Sequence, residues 1–317
     1  MKIVVLDGYC ANPGDLSWDA IGNMGELTVY DRTAPEDVIA RAKGAQVIFT
    51  NKTVLNAEIL RQLPDCRFIG VLATGFNIVD TAAAKAQGIV VCNVPAYSTD
   101  SVVQLTIALL LELCHHVGAH TDDIHSGGWK RSPDFSYSLS PTMELAGKTF
   151  GIVGYGAIGR KAGVVAQALG MKVIQTSRSP KETEPGVESV SFDELLERAD
   201  VVSLHCPFTG ENANMINADT LAKMKKTAFL INTGRGQLVD EAALRHALDN
   251  GVIAGAGLDV LAKEPMAADC PLCGAKNLVM TPHIAWATPE ARVRLMDISA
   301  ANLRAFLDGA PVNVVNK

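Results

Sequence analysis

This sequence predicts an α/β protein made of two doubly wound parallel-sheet domains. Three observations predict it. Short, β-branched apolar runs alternate with Ala-rich helical stretches from residue 1 to about 95, and again from about 149 to 280, which is the pattern of parallel sheets with helices on both faces. Between the two series, Gly154, Gly156 and Gly159 stand as G-x-G-x-x-G, after an apolar run and before a helical one. The length, 317 residues, suits two domains better than one.

Residues 2–6 read as the first strand; Asp7 cuts their apolar run, which is too short for a signal-peptide core. Residues 35–43 are helical, with Pro35 in the first turn. Strands follow at 46–49, 67–72 and 89–92, separated by helices at 56–62 and 79–87, the latter closed by Gly88. Ser98, Thr99 and Asp100 are N-cap candidates for a long apolar helix that runs to His125 and joins the two domains. Its most apolar part, 102–117, is interrupted by Gln104, Glu112, His115 and His116. It reads as a buried helix, since a membrane span needs roughly 20 apolar residues. A loop with Trp129, Pro133 and Pro141 leads to the fingerprint strand. The second series has strands at 172–176, 201–204, 228–231, 253–258 and 278–280, and helices at 160–169, 192–197, 218–224 and 240–249. A last helix, 290–307, comes after that series is complete and can return to cover the first.

The glycine triple has a mechanical meaning in this context. The first lets the chain turn off the strand, the second lets the backbone approach a pyrophosphate, and the third lets the helix pack on the sheet. The N–H groups of the first helical turn then point at the phosphates. The expectation is a Rossmann domain for NAD or NADP. About 20 residues on, an acidic side chain would hold the adenosine ribose and repel a 2′-phosphate. Here the strand ends in Ser177, followed by Arg178. That removes the repulsion and offers a cation, so NADPH is tolerated and competes with NADH as the preferred cofactor. The alternative is that Arg178 is a solvated loop charge.

A net charge of −6 without a basic cluster argues against nucleic acid or an anionic membrane as partner. An anionic small substrate would need individually placed cations. Seven scattered cysteines, an odd number, do not form a disulfide framework and point to a reducing, cytoplasmic compartment. No metal is expected. Glu112, His116 and His120 recur every four residues on the long helix, but no further ligand cluster completes a site. Cys270 and Cys273 form an isolated C-x-x-C, read as a loop with incidental cysteines, with an oxidation-sensitive pair as the alternative.

Ligands in such sheets bind beyond the carboxyl ends of the strands. Arg235, Glu264 and His283 each follow one of three successive strands of the second series. An arginine fork can hold a carboxylate bidentately and polarise the neighbouring carbonyl. A histidine can deliver a proton to the carbonyl oxygen and remove it in reverse. A glutamate bonded to the imidazole fixes its tautomer and favours its charged form. Together they fit reversible hydride transfer at a 2-keto or 2-hydroxy acid.

The motifs 154–159 (GYGAIG), 205–209 (HCPFT), 231–236 (INTGRG), 257–260 (GLDV), 263–265 (KEP) and 282–285 (PHIA) resemble the D-isomer-specific 2-hydroxyacid dehydrogenase family over essentially the whole chain. The resemblance implies catalytic roles for Arg235, Glu264 and His283. It implies a nicotinamide-carboxamide contact at Asp259 and a phosphate loop that includes Ala157 and Ile158. It implies further cofactor contacts at Cys206, Pro207, Thr233 and Gly234, and a substrate-carboxylate loop at Ala73, Thr74 and Gly75. Arg235 and His283 count among the substrate contacts as well. The family's ribose-binding Asp is missing at Ser177. The stretches 50–52, 73–77, 93–98 and 283–288 look most like bacterial glycerate dehydrogenases, also called hydroxypyruvate reductases. Lys52 is then a candidate for the substrate carboxylate or hydroxyl, or else a solvated lysine. The implied organisation is a flavodoxin-like substrate domain, 1–100 with 287–317, and a dinucleotide-binding domain, 101–286, in a homodimer whose domains close on the substrate. The implied reaction is reduction of hydroxypyruvate to D-glycerate, and of glyoxylate to glycolate. The alternatives are another 2-keto acid such as that of lactate or phosphoglycerate, or a nucleotide-sensing corepressor.

Overall fold

Among the described residues, every pairing between two strands is parallel, and the one antiparallel contact is an isolated bridge from Cys92 to Val314, so each strand connection must cross from the end of one strand to the start of the next. The structure, a computed structural model, describes residues 1–179 and 182–317. The chain divides into two compact units, Met1–Ser98 with Trp286–Lys317, and Thr99–Ala285.

The first unit holds β1 (Lys2–Val5), β2 (Glu26–Val29), β3 (Val47–Thr50), β4 (Phe68–Val71) and β5 (Val90–Cys92), in the order β2-β1-β3-β4-β5. That is the flavodoxin-like order. Four short helices connect them: α1 (Asp19–Gly22), α2 (Val38–Ala42), α3 (Ala57–Arg61) and α4 (Thr81–Ala86). Asn56 and Asp80 cap α3 and α4 by accepting the N–H of Ile59 and Ala83. β3 and β4 are buried along their whole length, as central parallel strands covered on both faces. Alternate residues feed opposite layers. Val4, Ile48 and Ile69 pack under Val38 and Leu60. Ile3, Val47, Phe49 and Phe68 pack against Ala291, Leu295 and Leu303 of the C-terminal helix Pro289–Leu307. That helix is fixed further by Arg292, which forms two parallel bonds to Asp15 at 2.7 and 2.6 Å.

The second unit holds β6 (Thr149–Val153), β7 (Lys172–Thr176), β8 (Val187–Ser189), β9 (Val201–Leu204), β10 (Phe229–Asn232), β11 (Gly255–Leu258) and β12 (Leu278–Met280). Their order is β12-β11-β10-β9-β6-β7-β8, the Rossmann order extended by one strand. Its helices are α5 (Thr99–His115), α6 (Val117–His125), α7 (Gly128–Arg131), α8 (Ala157–Ala168), α9 (Phe192–Arg198), α10 (Ala218–Lys223) and α11 (Glu241–Asp249). α5 lays Val103, Ile107 and Leu110 onto Phe150, Ile152 and Ile231. A Cβ on Gly257 would stand 3.0 Å from the Cβ of Leu109, so the glycines of β11 are what let α5 come this close.

Several elements depart from the sequence expectation. β2 and β8 were not expected; both are short edge strands with exposed polar residues, too weakly patterned to register. β11 begins at Gly255 rather than 253, and α8 begins at Ala157 rather than Arg160. The expected loop after Gly128 opens with α7. The long helix to His125 is two helices: His116 takes φ +47°, and α5 and α6 meet at a bend of 56°. Glu112, His116 and His120 therefore do not share one helix face. The His120 Nδ1–H is bonded to the His116 carbonyl at 2.9 Å, and its Nε2 accepts the Leu139 N–H at 3.2 Å. Among the described residues no three potential ligands gather into a metal site. No single helix there is long and apolar enough to cross a membrane.

Candidate active site

The three fingerprint glycines meet three different requirements. Gly154 takes φ +98°, and a Cβ there would lie 2.4 Å from the Cys206 nitrogen. Only glycine satisfies both that backbone and that clearance, and the contact brings His205 and Cys206 against the fingerprint turn. A Cβ on Gly159 would be 2.3 Å from the Gly154 carbonyl oxygen and 2.9 Å from Ile152, so this glycine lets α8 rest on β6. A Cβ on Gly156 would meet no atom within 4 Å. The clearance at Gly156 therefore faces open space, and α8 starts beside it with no side chain capping its N-terminus. The free N–H groups of the first turn, at Ala157, Ile158 and Gly159, form an anion cradle. These residues fit a dinucleotide pyrophosphate.

At the end of β7, the Ser177 hydroxyl donates to the Ser179 carbonyl at 2.8 Å. The Arg178 side chain is 75% exposed, and its nearest carboxylate, Glu211, is 4.0 Å away. Beyond β9, His205 Nε2 lies 2.9 Å from the Ser203 hydroxyl. Burial pushes this imidazole down to about 4, so it is neutral at pH 7.

Beyond β10, the buried Asn232 closes the loop that carries Arg235. Its Oδ1 accepts the Gly234 N–H at 3.0 Å and its Nδ2 donates to the Arg235 carbonyl at 2.9 Å, an Asx turn. The Thr233 hydroxyl is tied to Thr106 of α5 at 3.0 Å. The Arg235 Nη1 donates to the Gly234 carbonyl at 2.7 Å, and the other guanidinium N–H groups have no partner among the described residues. A Cβ on Gly236 would fall 1.9 Å from the Leu261 carbonyl carbon. The Arg235 loop thus rests directly on the segment leading to Glu264.

Glu264 and His283 meet. Glu264 Oε2 is 2.7 Å from His283 Nδ1, and Oε1 accepts the Leu261 N–H at 3.1 Å. The glutamate thereby fixes the ring with its proton on Nδ1, leaving Nε2 to exchange one. Both side chains remain partly open, at 32% and 23% exposure. His283 sits in the left-handed region at φ +54°, an uncommon backbone for this residue. Asp259 holds it there. The His283 N–H donates to the Asp259 carbonyl at 2.8 Å. The Asp259 carboxylate accepts the Thr281 hydroxyl at 2.6 Å and the N–H groups of Ile284 and Ala285 at 2.8 Å each. Burial raises this carboxyl above its ordinary range against the pull of those donors. Three of about four lone-pair directions are thus used on the His283 turn, leaving one for any other partner.

In the first unit, Asp7 orders the loop beyond β3: its carboxylate accepts the N–H groups of Asn51, Lys52 and Thr53 at 2.7, 2.6 and 2.7 Å. Lys52 is exposed there. Beyond β4, Thr74 is pinned by its hydroxyl to the Val94 carbonyl at 2.8 Å and by its carbonyl to Asn93 Nδ2 at 2.7 Å. The N–H groups of Thr74 and Gly75 have no acceptor among the described residues. Sequence reasoning missed Asp7, Asn232 and Thr281. Asn232 had a readable signal, an Asn at a strand end two residues before Gly; the other two act across the fold.

The second unit thus joins an open phosphate cradle to a cation, an oriented imidazole and a carboxylate at the carboxyl ends of one sheet. That set can bind a dinucleotide and move a proton at the oxygen of a small anionic substrate. The sequence model described as "D-isomer specific 2-hydroxyacid dehydrogenase, NAD binding domain" matches residues 107–285. A hydroxypyruvate reductase of Blautia hydrogenotrophica is 50% identical over 322 residues, covering 100% of both chains. A glycerate dehydrogenase of Methylorubrum extorquens is 43% identical over 293 residues, 92% of each chain. Among solved structures, an acyclic imino acid reductase in complex with NADPH and D-Arg superposes with a TM-score of 0.89 at 31% identity, covering 99% of this chain and 100% of that one. Its full-length match to such relatives, on this fold and this fingerprint, places the chain in the D-isomer-specific 2-hydroxyacid dehydrogenase family, whose cofactor is a nicotinamide dinucleotide.

Proposed function

We propose that this protein reduces hydroxypyruvate to D-glycerate, and glyoxylate to glycolate. The observation that carries the proton-transfer half of this reading is the 2.7 Å bond between Glu264 and His283. The relatives named hydroxypyruvate reductase and glycerate dehydrogenase support the substrate.

The dinucleotide supplies the hydride. The chain's residues do the rest. Arg235 holds the substrate carboxylate and draws charge toward the carbonyl oxygen. His283 Nε2 gives its proton to that oxygen as charge develops on it, and Glu264 stabilises the imidazolium beforehand. The unbonded N–H groups at Thr74 and Gly75, with Ala73 and Lys52, are assigned to the substrate carboxylate and hydroxyl. Gly154, Gly156, Ala157, Ile158 and Gly159 are assigned to the pyrophosphate. Cys206, Pro207, Thr233, Gly234, Arg235, Asp259 and His283 are assigned to the rest of the cofactor.

Both cofactors are accepted in this reading, with NADPH favoured. Ser177 carries no charge to repel a 2′-phosphate, and Arg178 is exposed with its nearest carboxylate at 4.0 Å. The working form is a homodimer. Val117, Ile124, Trp129, Phe135 and Leu139 are all exposed within one short stretch, Phe135 by 90%, an apolar surface of the kind that a second copy covers.

Initial rates with hydroxypyruvate, glyoxylate and pyruvate, each with NADH and NADPH, test the reading, alongside light scattering for the dimer. Preference for hydroxypyruvate, lost in His283→Ala, supports it. Equal or better turnover of pyruvate refutes the substrate, and an unchanged NADPH/NADH ratio in Arg178→Ala refutes the cofactor assignment.

A further inference from the structure

The second sheet has a cavity at the edge opposite Arg235, Glu264 and His283. It has a volume of about 480 Å³ and lies at the amino ends of the strands. Lys148 precedes β6, Lys226 and Thr227 precede β10, Ala254 precedes β11 and Asn277 precedes β12. The segment 140–144 forms another wall. Leu113, Met143 and Phe229 make the lining largely apolar. Its charge is concentrated in two lysines.

Among the described residues, neither Lys148 nor Lys226 has a carboxylate within 4.0 Å; Asp200, paired with Lys225 at 2.9 Å, also feels the Lys148 ammonium at longer range. Glu144 is the one carboxylate in the lining and His116 the one imidazole, so the cavity carries a net positive charge at neutral pH. The Ser140 hydroxyl is buried with no hydrogen-bond partner, an orphan that a folded protein does not usually leave unexplained. His116 and Asn277 both hold left-handed backbone, at φ +47° and +49°. Strain of this sort concentrates where a surface is shaped for a ligand.

We propose that this cavity binds a small organic anion: a carboxylate or phosphate head between Lys148 and Lys226, bonded to the Ser140 hydroxyl, with an apolar body over Leu113, Met143 and Phe229. Its volume falls in the range of small-molecule sites. The inference is independent of the proposed reaction, because the cofactor cradle and the His283 turn lie beyond the opposite ends of the same strands.

The probe is anilinonaphthalenesulfonate, which joins an anionic head to an apolar aromatic body. Its fluorescence is titrated against the full-length protein with saturating NADPH present. A saturable signal is expected that inorganic phosphate weakens and that the double variant Lys148→Ala/Lys226→Ala weakens by about tenfold or more. The charge-preserving pair Lys148→Arg/Lys226→Arg should keep it, and circular dichroism should show all variants folded. Equal affinity in the alanine pair, or full displacement of the dye by NADPH, overturns the proposal: the first means the lysines bind nothing, the second that the dye sits in the cofactor cradle.

Discussion

Asp259 holds His283 from three sides. Its carbonyl takes the His283 N–H, and its carboxylate takes the N–H groups of the next two residues, all at 2.8 Å. A histidine at φ +54° would otherwise relax toward commoner backbone. Asp259 therefore fixes the position of the imidazole.

Asp259→Asn tests this. An amide has one acceptor oxygen, so either the Ile284 or the Ala285 N–H must face an NH₂ group. Leaving such a donor unsatisfied costs about 1–3 kcal/mol. The expected result is a fall in kcat of roughly ten- to a hundredfold per folded molecule, with dinucleotide affinity, measured by fluorescence quenching, reduced far less. A variant that loses thermal stability but keeps kcat would make Asp259 structural only.

The Glu264–His283 pair should behave as one unit. His283→Ala is expected to lose about 10²–10⁴-fold in kcat, the usual worth of a positioned acid–base group. Glu264→Gln keeps the bond to Nδ1 but removes the charge, and should lose about tenfold. Added to His283→Ala, it should cost almost nothing more, since its role passes through the imidazole. Additive losses in steady-state kinetics would mean that Glu264 acts elsewhere.

Much of this was legible in the sequence, for identifiable reasons. Gly154, Gly156 and Gly159 each answer a separate steric demand, so the triple survives as a readable pattern. Arg235, Glu264 and His283 each follow an apolar run, and a parallel sheet gathers all such ends on one edge. What escaped was of two kinds. Glu26–Val29 and Val187–Ser189 are edge strands whose half-exposed residues carry little periodicity. His116 breaks a helix without a glycine or proline to mark it. Asp7 and Thr281 act through hydrogen bonds to residues 44 and 22 positions away, and nothing local announces them.

Two fingerprint glycines should separate binding from folding. Alanine at Gly156 meets no atom within 4 Å, so the protein should keep its stability while dinucleotide Kd rises about tenfold or more, because the methyl projects into the cradle. Alanine at Gly159 would sit 2.3 Å from the Gly154 carbonyl oxygen and should destabilise by about 1–3 kcal/mol, as overpacking does. Urea unfolding and cofactor titration on both variants check this. Equal effects on both quantities at both sites would mean that the clearance at Gly156 is not for the cofactor.

His205 gives stability its pH dependence on the acid side of neutrality. Burial holds its imidazole at about 4 against an ordinary 6.5, so between those values the unfolded chain binds the extra proton. Stability from this residue is therefore complete above pH 6.5 and is lost as pH falls toward 4, amounting to about 2 kcal/mol by pH 5. Asp200 does not blur that window. Its burial is outweighed by the Thr149 amide and the Lys225 ammonium, which hold the carboxyl below its ordinary 3.8. Its stabilisation is complete above that value and falls away only at more acidic pH. Unfolding free energies from urea titrations at pH 7.5 and pH 5.0 should thus differ by about 2 kcal/mol less in His205→Gln than in the parent protein. The same difference in both would show that His205 is already charged in the folded state, and that its neighbours Ser203 and Cys206 tolerate an imidazolium.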